Sequence, residues 1–244
     1  MTAIYTVARR ELAAYFASPL AYIFITVFLA LSAALTFHLG GFFERGQADL
    51  EPFFQFHPWL YLFLIPAIGM RLWAEERKSG TIELLASLPL STPVLVLGKF
   101  LAAWVFAGMA LALTFPLWVT VSLLGNPDHG TIAAAYLGSW LMAGGYLAIS
   151  ACASALTRNQ VVAFILATAA CFVFLAAGSD MVQAAFRAWA PEAASAAVAS
   201  LSFLTNFQAI SRGLVELRDL VFFASLIAAA LSINILLVDL KRAR

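Results

Sequence analysis

Six long apolar runs constrain the fold of this chain more than any other feature of its sequence. A bilayer core is crossed by about 20 residues of apolar helix, and each run is close to that length. Transmembrane barrels use strands of about ten residues in which apolar and polar side chains alternate, and that alternation is missing here. We therefore predict an all-α membrane protein with six transmembrane helices. The predicted spans are residues 20–37, 53–72, 100–121, 136–156, 161–178 and 220–238.

The composition agrees with a membrane protein. Of the 244 residues, 63% are hydrophobic and 11% are charged, whereas soluble domains carry about 25% charged residues. A soluble core could not bury so much apolar surface, and a net charge of +1 gives no general attraction for nucleic acid. A soluble enzyme, a disordered chain and a nucleic-acid-binding protein are therefore excluded, which leaves a single membrane domain over residues 1–244. Cys152 and Cys171 lie inside apolar runs, which favours buried thiols over a disulfide.

The distribution of basic residues predicts the orientation. If the N-terminus is cytoplasmic, 10 of the 14 lysines and arginines fall on the cytoplasmic side and 4 on the other. Cytoplasmic loops carry an excess of these residues, so both termini are predicted to be cytoplasmic. The ten are Arg9, Arg10, Arg71, Arg77, Lys78, Lys99, Arg158, Lys241, Arg242 and Arg244.

Residues 1–18 are predicted to form a helix that lies in the cytoplasmic membrane interface. Ile4, Ala8, Leu12 and Phe16 recur at helical spacing, which is typical of an apolar face turned to lipid. Ser18 precedes a proline and should end the helix. A cytoplasmic extension of the first span is the alternative. A cleaved signal peptide is disfavoured, because the apolar run is long enough to span and has no clear small-residue cleavage site.

The cytoplasmic segment 74–92 has the pattern of a short amphipathic helix between the second and third spans. Ser79 or Thr81 can cap it, and Glu83 in its first turn suits a helix N-terminus. Pro89 ends it, and Thr92 caps the next helix. The apolar positions of the segment are Ile82, Leu84, Leu85 and Leu88. Exposed leucines on a cytoplasmic loop need a cover, and either lipid or a protein partner would supply it.

The external region 179–219 is too long for a structureless connection. Phe203, Phe207, Ile210 and Leu214 follow one another at intervals of three or four residues. That spacing predicts an amphipathic helix folded back on the outer membrane face. A structural cap on the bundle is favoured over a substrate site.

Motifs for catalysis or nucleotide binding are missing. The sequence contains no GxxxxGK[ST], HExxH or GxSxG pattern, so we predict no catalytic, cofactor-binding or metal-binding residues. His38, His57 and His129 all map to the external side, away from the positions where a bundle would hold haem. We place no ionisable residue at mid-span, where ion-coupled transporters need one. A machine powered from another subunit is therefore favoured over a secondary transporter.

Four stretches resemble the ABC-2 type permeases, in particular the subgroup related to gliding-motility permeases. They are RRELAAYFASPLAYIF, RLWAEERKSGTIELLASLPLS, LTRNQVVA and SFLTNFQAISRGLVELRDLVFF. The resemblance implies a membrane subunit that pairs with a separate ATPase subunit, where ATP binds, and with a second permease subunit. It also implies that the loop helix of segment 74–92 docks on the ATPase. The implied coupling residues are Glu76, Gly80, Thr81, Glu83, Leu84, Leu85 and Leu88.

The leading hypothesis is thus a permease in the bacterial inner membrane, in contact with membrane lipids, that moves an unidentified substrate outward. The chain itself would not be an enzyme. The alternative is a membrane anchor or scaffold of a larger complex that transports nothing. A neighbouring or co-purifying ATPase favours the first hypothesis, and bound haem favours the second.

Overall fold

The computed structural model describes residues 2–81, 90–188 and 191–242, and all regular structure in these ranges is helical. The helices are α1 Thr2–Phe16, α2 Pro19–Ala34, α3 Glu51–Phe54, α4 His57–Gly69, α5 Arg71–Ser79, α6 Thr92–Ala112, α7 Phe115–Leu124, α8 His129–Leu156, α9 Gln160–Ala176, α10 Asp180–Arg187, α11 Glu192–Ser200, α12 Phe203–Ser211 and α13 Leu217–Arg242. A π-helical turn, Leu35–Leu39, extends α2. The prediction of an all-helical fold is confirmed.

Four helical stretches are long and apolar enough to cross a bilayer, and they coincide with the first, third, fourth and sixth predicted spans. They are Pro19–Leu39, Thr92–Leu124, His129–Leu156 and Leu217–Lys241. Two bent pairs raise the number of candidates to as many as six. In one pair α9, which coincides with the fifth predicted span, meets α10 at 65°; in the other, α11 meets α12 at 69°. The chain is therefore a multi-pass membrane protein with four to six candidate spans.

The second predicted span, residues 53–72, is not one continuous helix, because the structure divides it among α3, α4 and α5. Pro66 lies inside α4, where it has no N–H to donate to the preceding turn. The Ser154 hydroxyl of α8 lies between the Met70 carbonyl and the backbone N–H groups of the next turn, where a helical backbone hydrogen bond would otherwise form. It accepts from the N–H groups of Trp73 and Ala74 at 3.0 Å and donates to the Met70 carbonyl at 2.7 Å. A side chain inserted in this way interrupts a helix, and hydrophobic periodicity gives no sign of it.

The first helix packs on the bundle. Val7 of α1 is buried against α6, where a Cβ at Gly98 would lie 2.6 Å from the Val7 side chain. Ser18 has an extended backbone and its hydroxyl accepts from the Leu20 N–H, so it ends α1 and caps α2. The face expected to lie on lipid therefore makes part of its contact with protein.

The central helix of the fold is α8, which is buried along most of its length and contacts α4, α6, α9, α12 and α13. Its small residues let these neighbours approach closely. Trp104 of α6 and Trp140 of α8 stack at 4.3 Å, and each indole N–H donates to the backbone carbonyl of the other tryptophan. Each ring packs against a glycine of the opposite helix. A Cβ at Gly144 would lie 2.8 Å from the Trp104 ring, and a Cβ at Gly108 would lie 2.7 Å from the Trp140 ring.

The region predicted as an external amphipathic helix folds as α10, α11, α12 and the start of α13. Phe203, Phe207 and Ile210 of α12 are fully buried. A Cβ at Gly138 of α8 would lie 2.7 Å from Ile210, so α12 is inserted against α8. The spacing predicted that Leu214 also belongs to this helix, and that prediction is wrong. Helix α12 ends at Ser211, and Leu214 is 62% exposed.

The two ends of the bundle carry different elements. At one end, which we call the proximal end, α1, the C-terminus of α5, the start of α6 and the C-termini of α8 and α13 meet. There the Lys241 ammonium donates to the carbonyls of Ala155 and Leu156 at 2.6 and 2.9 Å. The opposite, distal end holds the starts of α4 and α8. Segment 74–92 therefore leaves the bundle at the proximal end.

Candidate functional site

The proximal end contains a buried ionic cluster formed by Lys99 of α6, Glu11 of α1 and Glu76 of α5, which we call the Lys99 cluster. The Lys99 ammonium lies 3.2 Å from the Glu11 carboxylate and 2.5 Å from that of Glu76. The Lys99 side chain is only 4% exposed, and the two glutamates are 18% and 17% exposed. The ammonium also lies 5.5 Å from the centre of the Trp73 ring. One cation thus joins three helices.

The electrostatics of the two glutamates differ. Burial disfavours the Glu11 carboxylate, but the charges of Lys99 and Arg10 outweigh it, and the pKa of Glu11 falls below its usual value. Burial raises the pKa of Glu76, and the Lys99 ammonium opposes this shift without reversing it. The Arg10 guanidinium, 2.7 Å from Glu11, helps to lower the pKa of Glu11, whereas the Glu11 charge helps to raise the pKa of Glu76. Glu76 therefore depends on Lys99 more than Glu11 does.

A second set of contacts fixes α5 to α8. The Ser154 hydroxyl bonds the backbone at the start of α5, and the Arg77 guanidinium donates to the Ala155 carbonyl at 2.8 Å. That carbonyl belongs to the last turn of α8, whose final carbonyls have no partner within the helix. At Gly69 a Cβ would collide with Ser150 of α8. The helix that leads into segment 74–92 is thus held by α1, α6 and α8 together.

Gly80 ends α5 in the left-handed backbone conformation, with φ of +76°. L-residues with a side chain rarely adopt this angle, so glycine suits this helix end. Among the described residues, the Ser79 and Thr81 hydroxyls bond carbonyls of α5 and each other; the helix that they were predicted to cap lies outside those residues. The cap of α6 is Ser91, because Thr92 is already the first residue of that helix.

Three of the seven predicted coupling residues fall in the described part of the chain. Glu76 points inward to Lys99, and Gly80 and Thr81 form the exposed end of α5. The other four, Glu83, Leu84, Leu85 and Leu88, lie outside the described residues.

Sequence reasoning missed Lys99 and Glu11 as members of a site and counted Lys99 only as a cytoplasmic cation. A signal was available, because Lys99 stands two turns inside an apolar helix that begins at Thr92. A charge so placed needs a buried partner.

The distal end contains a buried polar network that the sequence did not predict. His57 is fully buried, with its Nδ1 atom 2.7 Å from the Ser139 hydroxyl, and the Tyr61 hydroxyl lies 2.8 Å from the same oxygen. The network joins α4 to α8, in agreement with a structural role.

Comparison with known protein families gives one match. The family model described as ABC-2 family transporter protein matches residues 5–238. No curated protein sequence matched the chain. Because the match covers nearly the whole of this multi-pass helical chain, the protein belongs to the ABC-2 family of transporter proteins.

Proposed function

We propose that this chain is the permease subunit of an ABC transporter and that segment 74–92 is the contact through which a separate ATPase subunit drives it. The observation that carries the proposal is the attachment of α5. This helix leads directly into the segment, and the Lys99 cluster, Ser154 and Arg77 hold it to three other helices. A displacement of the segment therefore reaches α1, α6 and α8 through polar contacts.

The coupling residues divide into two groups with different tasks. Glu83, Leu84, Leu85 and Leu88 would contact the ATPase, with the leucines in an apolar cleft and Glu83 beside a basic residue. Each fully buried leucine contributes about 1.5–3 kcal/mol, which is enough for a firm contact. Glu76 acts indirectly, since its ion pair with Lys99 positions α5. Gly80 and Thr81 set the angle at which the chain leaves α5.

The membrane layout that fits this function has six spans, and the second, residues 53–72, runs from α3 through α4 to the first residues of α5. Both termini and the proximal end would be cytoplasmic, as the ten basic residues on that side favour. The compartment that fits is the bacterial inner membrane. In this layout α11 and α12 enter and leave the bundle from the distal side.

The transport-competent unit would contain two permease subunits, either two copies or this chain with a sister permease. Twelve helices line a pathway for bulky cargo more easily than six. We propose outward movement of the cargo; its chemical identity is open, and the family match extends to neither a substrate nor the gliding-motility subgroup.

The test is isolation of the permease from its native membrane with an affinity tag. An ABC ATPase should co-purify, and the reconstituted complex should hydrolyse ATP. Chemical crosslinking in the same membrane should give a permease dimer. If no ATPase co-purifies and other membrane proteins do, the chain is a scaffold and the coupling proposal fails.

A further inference from the structure

Two adjoining cavities between α1, α2, α4 and α5 form a site with a polar end and an apolar end. The polar cavity, which we call the chamber, has a volume of about 250 Å³ and lies beside the Lys99 cluster. The apolar cavity, which we call the groove, has about the same volume, 250 Å³, and lies between α2 and α4. Tyr15 and Arg71 belong to the walls of both. The chamber and the groove are therefore neighbours with a common wall.

The groove opens toward the lipid phase. Leu20, Ile23 and Val27 on its α2 side are 49%, 56% and 38% exposed, and Phe106 of α6 closes its floor. Its opposite side runs along α4 and the start of α5 from Leu64 to Arg71, which is about 10 Å at 1.5 Å per residue. These dimensions suit a segment of an acyl chain that lies along the helices.

The chamber contains one carboxylate oxygen that lacks a donor among the described residues. Its wall carries three carboxylates, Glu11, Glu75 and Glu76, and two cations, Arg71 and Lys99, while Arg10 pairs with Glu11 from outside the wall. Arg71 binds both oxygens of Glu75, at 2.7 and 3.0 Å, and Lys99 binds Glu11 and one oxygen of Glu76. The other Glu76 oxygen, Oε2, is buried and accepts no hydrogen bond from the described residues. A buried carboxylate oxygen without a donor is costly, and a charged N–H donor in the chamber would stabilise it more than a neutral one.

We propose that the chamber and groove bind a phospholipid with a primary ammonium head group, as in phosphatidylethanolamine. The ammonium donates to Glu76 Oε2, and one acyl chain fills the groove. The phosphate lies near Arg71, whose guanidinium has N–H groups beyond those that bind Glu75. A choline head group has no N–H donor, and a glycerol head group has no positive charge. The lipid would lie against the Lys99 cluster and hold α1 and α4 together.

The experiment measures which lipid the purified permease retains. Delipidated protein in detergent is mixed with equal amounts of dioleoyl phosphatidylethanolamine, phosphatidylcholine and phosphatidylglycerol, and the bound lipids are counted by native mass spectrometry. We expect phosphatidylethanolamine to be enriched. Glu76→Gln should weaken its retention about tenfold, as expected for one charge-assisted hydrogen bond.

A groove variant with a matched control separates this site from ordinary lipid contact. Ala67 lines the groove, so Ala67→Phe should abolish the preference without touching the ionic cluster. Ala169 lines a different, wholly apolar groove between α4 and α9, and Ala169→Phe should leave the preference intact. Equal retention of the three lipids by the wild type would overturn the proposal, as would a preference that survives Ala67→Phe. In that case the chamber holds only water.

Discussion

Lys99 is the residue on which the proximal end most depends. In Lys99→Met the carboxylate of Glu76 loses the one ion-pair partner that it has among the described residues, while Glu11 keeps Arg10. Removal of one member of a buried ionic cluster leaves an uncompensated charge, and we expect a loss of about 3 kcal/mol in the free energy of unfolding. Thermal unfolding of the purified permease in detergent measures the loss.

Two further variants show that the buried charge is the cause. Lys78→Met removes an exposed lysine of α5 and should change the stability by less than about 0.5 kcal/mol. Adding Glu76→Gln to Lys99→Met should recover part of the loss, because the neutral amide no longer requires a cation. A Lys99→Met protein as stable as the wild type would show that the cluster does not hold the helices.

Gly80 offers a test of turn geometry with an internal control. Gly80 and Gly46 both have positive φ, +76° and +61°, and a Cβ at either would meet no other atom within 4 Å. Alanine therefore adds a similar backbone strain at both positions, about 1–2 kcal/mol. Only Gly80→Ala should reduce binding of the ATPase, because Gly80 directs segment 74–92 and Gly46 lies in a distal loop. Equal ATPase co-purification with both variants would show that this turn does not position the contact.

Besides Arg77, the Ser154 hydroxyl attaches α5 to α8. In Ser154→Ala the N–H groups of Trp73 and Ala74 and the carbonyl of Met70 lose their partner. Unsatisfied buried groups cost about 1–3 kcal/mol, so the midpoint of thermal unfolding should fall. Ser150, one turn earlier, donates to the Tyr146 carbonyl of its own helix, and Ser150→Ala should cost less. A larger loss for Ser150→Ala would place the main contact elsewhere.

Whether an element could be predicted from the sequence depended on the range of the interactions that define it. Apolar runs and local caps are local properties, so the helices at Pro19–Leu39, His129–Leu156 and Leu217–Lys241 follow from the sequence. The break at Met70 could not be predicted, because Ser154, far along the chain, causes it. The insertion of α12 depends in the same way on Gly138 of α8. A pattern of apolar spacing does not reveal which helix will cover it.

The candidate site was predictable to a similar degree. Gly80 was named through the family resemblance, and its positive φ is a local property that glycine tolerates. The Lys99 cluster combines residues from three separate helices. From the sequence, Glu76 was named as a coupling residue and Lys99 as a cytoplasmic cation, and the two were not placed in one site with Glu11. Pairing of Glu76 with Lys99 rather than with a partner protein needs the packed structure.

The orientation of the whole molecule can be tested by labelling in intact cells. In a background where Cys152 and Cys171 are replaced by alanine, single cysteines at Asp49 and Glu192 should react with an impermeant thiol reagent. Cysteines at Lys78 and Arg158 should react only after the cells are opened, because the proximal end carries most of the basic residues. Labelling at Lys78 in intact cells would invert the proposed layout.

Coupling of the whole complex through segment 74–92 is tested most directly by Leu85→Asp. A carboxylate at an apolar contact must be desolvated without a partner, so the variant permease should insert normally but lose the ATPase on purification. ATP hydrolysis in the reconstituted complex should then fall to the level of the isolated ATPase. The control is Leu214→Asp, a change at an exposed leucine outside segment 74–92, which should leave assembly intact. If Leu85→Asp assembles and hydrolyses ATP as the wild type does, segment 74–92 is not the contact that couples the permease to its ATPase.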